Sequence, residues 1–98
     1  MSNYIGAHEE QAEEDRLLTA FAALAPGDDP ACPEAQALVV QWQAHMARWH
    51  NGCGEEKLRR LGELYCMDDR FAESLDSYGA GTAHFMGEAI QVFLESDS

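Results

Sequence analysis

The sequence is poor in basic residues, with 6 Lys and Arg against 18 Asp and Glu and a formal net charge of −12. Proteins that bind nucleic acid use cations to displace counterions from the phosphates, and anionic membrane surfaces likewise attract basic segments. This balance argues against direct contact of the chain with nucleic acid or with a membrane. A neutral or cationic partner is more compatible with it.

Long apolar runs and paired cysteines are missing as well. No stretch approaches the roughly 20 apolar residues of a membrane-spanning helix, and the start MSNYIGAHEE lacks the basic and apolar regions of a secretory signal. The 3 cysteines are odd in number and irregularly spaced, so they predict free thiols rather than a disulfide framework. We therefore expect a cytoplasmic protein.

Strand patterns are also absent, whereas apolar residues recur at helical spacing along the chain. The pattern predicts a single all-α domain over residues 8–96, preceded by a flexible segment at residues 1–7. About five helices are expected, at residues 8–25, 30–51, 53–65, 69–75 and 80–94.

The expected helix boundaries depend on residues that cap or break helices. Carboxylates at Glu9 and Glu10 suit the positive end of the first helix dipole. Asp29 is the expected N-cap of the second helix, with Pro30 in its first turn. Asp68 or Asp69 is expected to cap the short fourth helix in the same way.

Residues near the middle of the chain suggest two kinds of reactive site, a metal site and an activated cysteine. His45, His50 and Cys53 lie within nine residues, but His45 and His50 point apart on a helix and no CxxC pair accompanies them, so no metal site is predicted. Cys53 with His50 resembles an activated thiol. Glu55 beside it opposes thiolate formation and no third group orients the histidine, so neither an enzyme nor a cofactor is expected.

Aromatic residues are a stronger signal than these reactive groups. Trp49, Tyr65 and Tyr78 carry large rings with a polar tip, which suit either the wall of a ligand pocket or an ordinary core. Their sequence positions alone do not decide between the two.

Residues 49–90 read WHNGCGEEKLRRLGELYCMDDRFAESLDSYGAGTAHFMGEAI, and this stretch resembles the C-terminal half of the TipAS-type antibiotic-recognition domain without a gap. The preceding helices agree more loosely in order and length. The matching residues are His50, Cys53, Gly54, Leu61, Gly62, Glu63, Tyr65, Asp68, Arg70, Phe71, Asp76, Gly81, Ala83, Phe85, Met86, Ala89 and Ile90.

The resemblance implies a compact, globin-like helical fold without haem and a role as the effector domain of MerR-type transcriptional activators. Such domains bind a bulky antibiotic, for example a thiopeptide, and signal to a DNA-binding module that this chain does not contain. Dimerisation would then depend on a coiled-coil segment, also outside this chain. Two alternatives remain: a stand-alone protein that sequesters a drug, and a helical interaction module without a small ligand.

The resemblance also guides the choice of site residues. We expect Trp49, His50, Cys53, Tyr65 and Tyr78 to border a ligand-binding cleft. Arg60 stands where thiopeptide-binding members carry a drug-reactive cysteine, so covalent capture at that position is not implied.

Among the other matching residues, Asp68, Arg70 and Phe71 are assigned to the scaffold. Phe71 is expected to pin the fourth helix to the core.

Overall fold

The computed structural model describes residues 2–49 and 54–96, with side chains from residue 9 onward. These residues contain five helices and no strand, which confirms the all-α fold class. The helices are α1 (Ser2–Leu24), α2 (Pro33–Trp49), α3 (Glu55–Met67), α4 (Asp69–Asp76) and α5 (Thr82–Ser96). None of the helices in the described ranges combines the length and apolar character that crossing a membrane requires.

The last helix, α5, is the centre of the domain. It packs against α1, α2, α3 and α4, and it contributes more buried residues than any other described helix. Its buried apolar side chains are Ala83, Phe85, Met86, Ala89, Ile90 and Leu94. The core is completed by Leu17, Leu18 and Phe21 of α1, Ala35, Val39 and Trp42 of α2, Leu58 and Tyr65 of α3, and Leu75 of α4.

The first helix begins earlier than the sequence indicated, at Ser2 rather than near residue 8. As a result Glu9 and Glu10 lie beyond the first turn, which contains no acidic residue. Their expected role at the helix dipole was therefore wrong. The flexibility expected of residues 1–7 stays a prediction.

The second helix begins later than expected, at Pro33 rather than Pro30. Asp29 does act as an acceptor, but for a turn: its Oδ1 accepts a hydrogen bond from the Ala31 amide at 2.8 Å. A proline fits the first position of the helix because amides of the first turn have no helical partner. The sulfur of Cys32 accepts from the Ala35 amide at 3.4 Å, so Cys32 takes the capping position predicted for Asp29.

The short helix α4 is capped as predicted. Asp68 has extended backbone angles, and its Oδ1 accepts a hydrogen bond from the Arg70 amide at 2.9 Å. The role predicted for Phe71 was wrong, because Phe71 is 43% exposed and meets Tyr65 at the edge of the core in a tilted ring contact, with centroids 6.2 Å apart. Leu75 is the residue of α4 that enters the core.

The α3–α5 interface is tight because a glycine faces it from each helix. A Cβ atom on Gly62 would lie 3.0 Å from Cγ2 of Ile90. A Cβ atom on Gly87 would overlap the sulfur of Cys66 and lie 2.7 Å from the carbonyl oxygen of Gly62. The two backbones can therefore approach this closely only while both positions lack a side chain.

We expect Asp68→Ala to lower the free energy of unfolding by about 1 kcal/mol, because the Arg70 amide loses its side-chain acceptor. Asp68→Asn keeps an acceptor and should retain most of the stability. Urea unfolding, monitored by far-ultraviolet circular dichroism, gives the free energy of unfolding of both variants. Equal losses in the two would show that the cap does not stabilise α4.

We expect Gly87→Ala to destabilise the domain by roughly 1–2 kcal/mol. In a helix interior, alanine is more favourable than glycine by about 1 kcal/mol. Overpacking costs about 1–3 kcal/mol or more, and the added methyl group would here meet the backbone carbonyl of Gly62, which cannot rotate away as a side chain can. Gly27→Ala is the matched control, because its added methyl group meets nothing within 4 Å. In urea unfolding, a Gly87→Ala variant at least as stable as the unchanged chain would contradict the close approach.

Candidate functional site

A buried polar contact joins α1 to α2. The side chain of His45 is fully buried, and its Nδ1 lies 2.6 Å from Oε1 of Glu13, which is 30% exposed. Sequence reasoning treated His45 only as a metal candidate and missed this contact. Its position on the buried face of α2, three residues after Trp42, was the available signal.

The surroundings of Glu13 favour its ionised form. The hydrogen bond with His45 lowers the pKa of the Glu13 carboxyl below its ordinary value, against the opposing effect of burial. The charge of His45, the Trp49 indole and the Arg48 guanidinium lower this pKa further. The Arg48 guanidinium also lies over the Trp49 ring, 4.8 Å from its centroid, so the end of α2 forms a cationic and aromatic corner beside α1.

Trp42 extends this contact into the core. Its ring stacks on His45 with centroids 5.4 Å apart, and Phe21 of α1 meets it edge-on at 6.4 Å. The indole nitrogen of Trp42 donates a hydrogen bond to the hydroxyl of Tyr65 at 3.2 Å. Tyr65 is only 4% exposed, so it lies in the core beneath Trp42 rather than on an open wall.

Tyr78 is held by a separate contact with α1. Its hydroxyl donates a hydrogen bond to Oδ1 of Asp15. This bond, with burial and the negative charges of Asp15 and Glu14, raises the pKa of Tyr78 to about 12. The phenol therefore stays protonated at neutral pH and ties the turn after α4 to α1.

The structure describes three of the predicted site residues and places them in separate contacts. Tyr65 is joined through Trp42 and His45 to Glu13 of α1, whereas Tyr78 meets α1 at a different residue, Asp15. Trp49 lies at the end of α2 beside Arg48. His50 and Cys53 lie outside the described residues. The prediction that all five side chains border one cleft stays untested.

An open groove lies elsewhere, between α3 and α5. Its volume is about 470 Å³, within the range of roughly 300–1,000 Å³ that is typical of small-molecule sites. The lining residues are Arg59, Gly62, Glu63, Cys66 and Met67 from α3, and Gly87, Ile90, Gln91, Leu94 and Glu95 from α5.

The glycine contact explains the shape of this groove. Gly62 and Gly87 contribute no side chain there, so the groove extends down to the buried Ile90 and Leu94 between longer side chains on either wall. Sequence reasoning placed Gly62 on the buried face of its helix but did not pair it with Gly87. Glycines on the facing surfaces of two adjacent helices were the signal that could have located the groove.

The groove is suited to binding rather than to nucleophilic chemistry. Burial raises the pKa of the Cys66 thiol and the charge of Glu88 raises it further, so the thiol is protonated at neutral pH. Within the described ranges, no group of three or more His, Cys, Asp and Glu side chains is placed to hold a metal ion. What the groove offers is an apolar floor with charged groups along its rim.

The Glu13–His45 contact leads to a pH prediction. Because the folded state lowers the pKa of Glu13, its stabilising effect is present above the unfolded pKa of about 4.3 and is lost as the pH falls through the folded value. We expect Glu13→Gln to cost about 1–3 kcal/mol at neutral pH and this deficit to shrink below about pH 4. Urea unfolding at a series of pH values measures this deficit, and Glu73→Gln, on the exposed face of α4, is the control. A deficit that does not change with pH would contradict the ionised contact.

Comparison with known proteins places these features in a family. Residues 6–93 match the TipAS antibiotic-recognition domain. The chain is 38% identical over 85 residues to the HTH-type transcriptional activator mta of Bacillus subtilis, a match that covers 86% of this chain and 32% of that protein. It is 37% identical over 81 residues to the HTH-type transcriptional activator TipA of Streptomyces coelicolor, covering 82% of this chain and 32% of that protein.

The match spans about a third of the length of these curated relatives. No solved structure matches the chain. The family match extends over most of the sequence and includes all of α2, α3 and α4 and most of α1 and α5. The chain belongs to the TipAS antibiotic-recognition domain family.

Proposed function

We propose that this chain is the ligand-recognition effector domain of a MerR-type transcriptional activator, and that it binds a bulky, largely apolar antibiotic in the groove between α3 and α5. The groove is the observation that carries this proposal. The exposed part of its lining is mostly apolar, and covering that surface with a ligand would remove it from water at a gain in free energy. The family and the names of the relatives indicate a regulator rather than an enzyme.

The buried position of Tyr65 supports this choice of site by contrast. Tyr65 already accepts a hydrogen bond from Trp42 and is almost fully buried. A ligand that used Tyr65 would have to break this bond and displace the side chain of Trp42 or Phe71, which contact it. The groove requires no such displacement.

Thiopeptides are the ligand class that we propose to examine first. They are large and mostly apolar, and they are the ligand class that the resemblance to TipAS domains implies. Signalling would follow from the same binding event, since α5 forms one wall of the groove and also packs against α1, α2 and α4.

A backbone-amide NMR titration with a panel of antibiotics that includes a thiopeptide tests the proposal. We expect shifts concentrated at Gly62, Cys66, Gly87 and Ile90. Shifts confined to Trp49, Tyr65 and Tyr78 would instead place the ligand at these aromatic residues. An unchanged spectrum with every compound would contradict ligand binding by this domain.

Met67→Ala provides a local check on the same titration. Met67 lines the groove and is 81% exposed, so its removal should leave the fold intact. Loss of part of its apolar contact should weaken binding about two- to tenfold. Val40→Ala is the matched control, because Val40 is 51% exposed on α2 and does not line the groove. Equal effects of the two substitutions would show that the ligand does not contact the groove rim.

A further inference from the structure

The rim of the α3–α5 groove carries charges of both signs. Arg59 and Glu63 line it from α3, and Glu95 lines it from α5. All three residues are exposed, so a ligand can approach their charged groups without a large desolvation cost.

A second depression adjoins the groove on the outer side of α5. It has a volume of about 340 Å³ and is lined by Asp29, Pro30, Glu88, Gln91, Val92 and Glu95. Gln91 and Glu95 line both the groove and this depression, so a single row of side chains separates the two. The lining of the depression contains three carboxylates and no Lys or Arg.

The helix geometry aligns these carboxylates. Glu88 and Glu95 are seven residues apart on α5, which is about two turns or roughly 10 Å along one stripe. Asp29 faces the same depression from the turn before α2. Nε2 of His84 lies 3.1 Å from Oε1 of Glu88, and this contact is an ion pair only when the imidazole is protonated. Glu95 therefore borders the groove itself, and Glu88 and Asp29 lie beyond it in the adjoining depression, across the row formed by Gln91 and Glu95.

We propose that the groove selects cationic amphiphiles, with the apolar body of the compound between α3 and α5 and its positive charge directed toward Glu88, Glu95 and Asp29. This inference rests on the proposed function, because it assigns a chemical class of ligand to the same groove. Arg59 is the opposing charge at the rim, and it is outnumbered by the carboxylates that line the two cavities. The net charge of −12 acts in the same direction at low salt.

Charge selectivity can be distinguished from apolar binding with two hydrophobic ions of nearly equal size and opposite charge. Tetraphenylphosphonium is the cation and tetraphenylborate is the anion. Each is titrated into the ¹⁵N-labelled chain at neutral pH and low salt, and shifts of the Gly62 and Gly87 amides report occupancy of the groove. We expect the cation to bind at least about fivefold more tightly than the anion, and the difference to narrow as salt is added.

Substitutions on α5 test whether the selectivity is local. Glu88→Gln and Glu95→Gln should each weaken binding of the cation about two- to fivefold and strengthen binding of the anion. Glu73→Gln removes the same formal charge from an exposed position on α4 that lines neither cavity, so it should change both affinities less than twofold.

Each outcome decides a different point. The inference is supported if the chain binds the cation more tightly than the anion, and if Glu88→Gln and Glu95→Gln reduce this preference while Glu73→Gln does not. Equal or tighter binding of the anion in the groove overturns charge selection and leaves the proposed apolar site intact. Equal effects of all three substitutions would assign the preference to net charge and overturn the local role of Glu88 and Glu95. Absence of groove shifts with either ion overturns both the inference and the site on which it rests.

Discussion

The close approach of α3 and α5 at Gly62 and Gly87 is the constraint on which the rest of the domain depends. A side chain at Gly87 would meet the carbonyl oxygen of Gly62, which cannot move without shifting α3 itself. The near contact of the two backbones brings α5 into the centre, where its other sides are covered by α1, α2 and α4. It also leaves the interface without a side chain at these two positions, so the same pair of glycines permits the close packing and makes room for the groove.

The long helix α1 is attached to this centre by a different combination of forces. Its second half supplies the buried residues Leu17, Leu18 and Phe21, while polar contacts to His45 and Tyr78 fix its position. Because it covers Trp42 and His45, α1 turns aromatic residues that could have lined a pocket into part of the core. The location of α1 therefore decides which apolar surface of the domain is open to a ligand.

Helical periodicity predicted much of this architecture, because the inward face of each helix is encoded in its own spacing. Leu58, Gly62 and Tyr65 were placed correctly on the buried face of α3, and Asp68 was identified as a candidate cap for α4. Boundaries were less predictable where several turn-forming residues compete. Asp29 and Pro30 form a plausible helix start, but the turn they make delays the helix to Pro33.

Features that depend on contacts between helices were beyond the sequence pattern. Phe71 was assigned to the core because it is aromatic and matches the family, although Leu75 already supplies the apolar contact of this short helix. His45 was judged by its neighbours in the chain, whereas its partner is Glu13 on another helix. The groove was missed for the same reason, since it exists only where Gly62 meets Gly87. Periodicity identifies an inward face, but it does not identify what that face meets.

The central position of α5 also limits how a ligand in the groove could act on the rest of a larger protein. A ligand changes a conformational equilibrium only by binding one state more tightly than the other. A compound in the groove would favour whichever relative position of α3 and α5 gives it the best contacts, and the close approach at Gly62 and Gly87 limits the positions that these helices can take. Because α5 packs against every other described helix, a shift relative to α3 would alter its contacts with α1 and α2 as well. A change in the relative position of α3 and α5 is therefore a direct physical link between occupancy of the groove and a change at the distant surfaces of the domain.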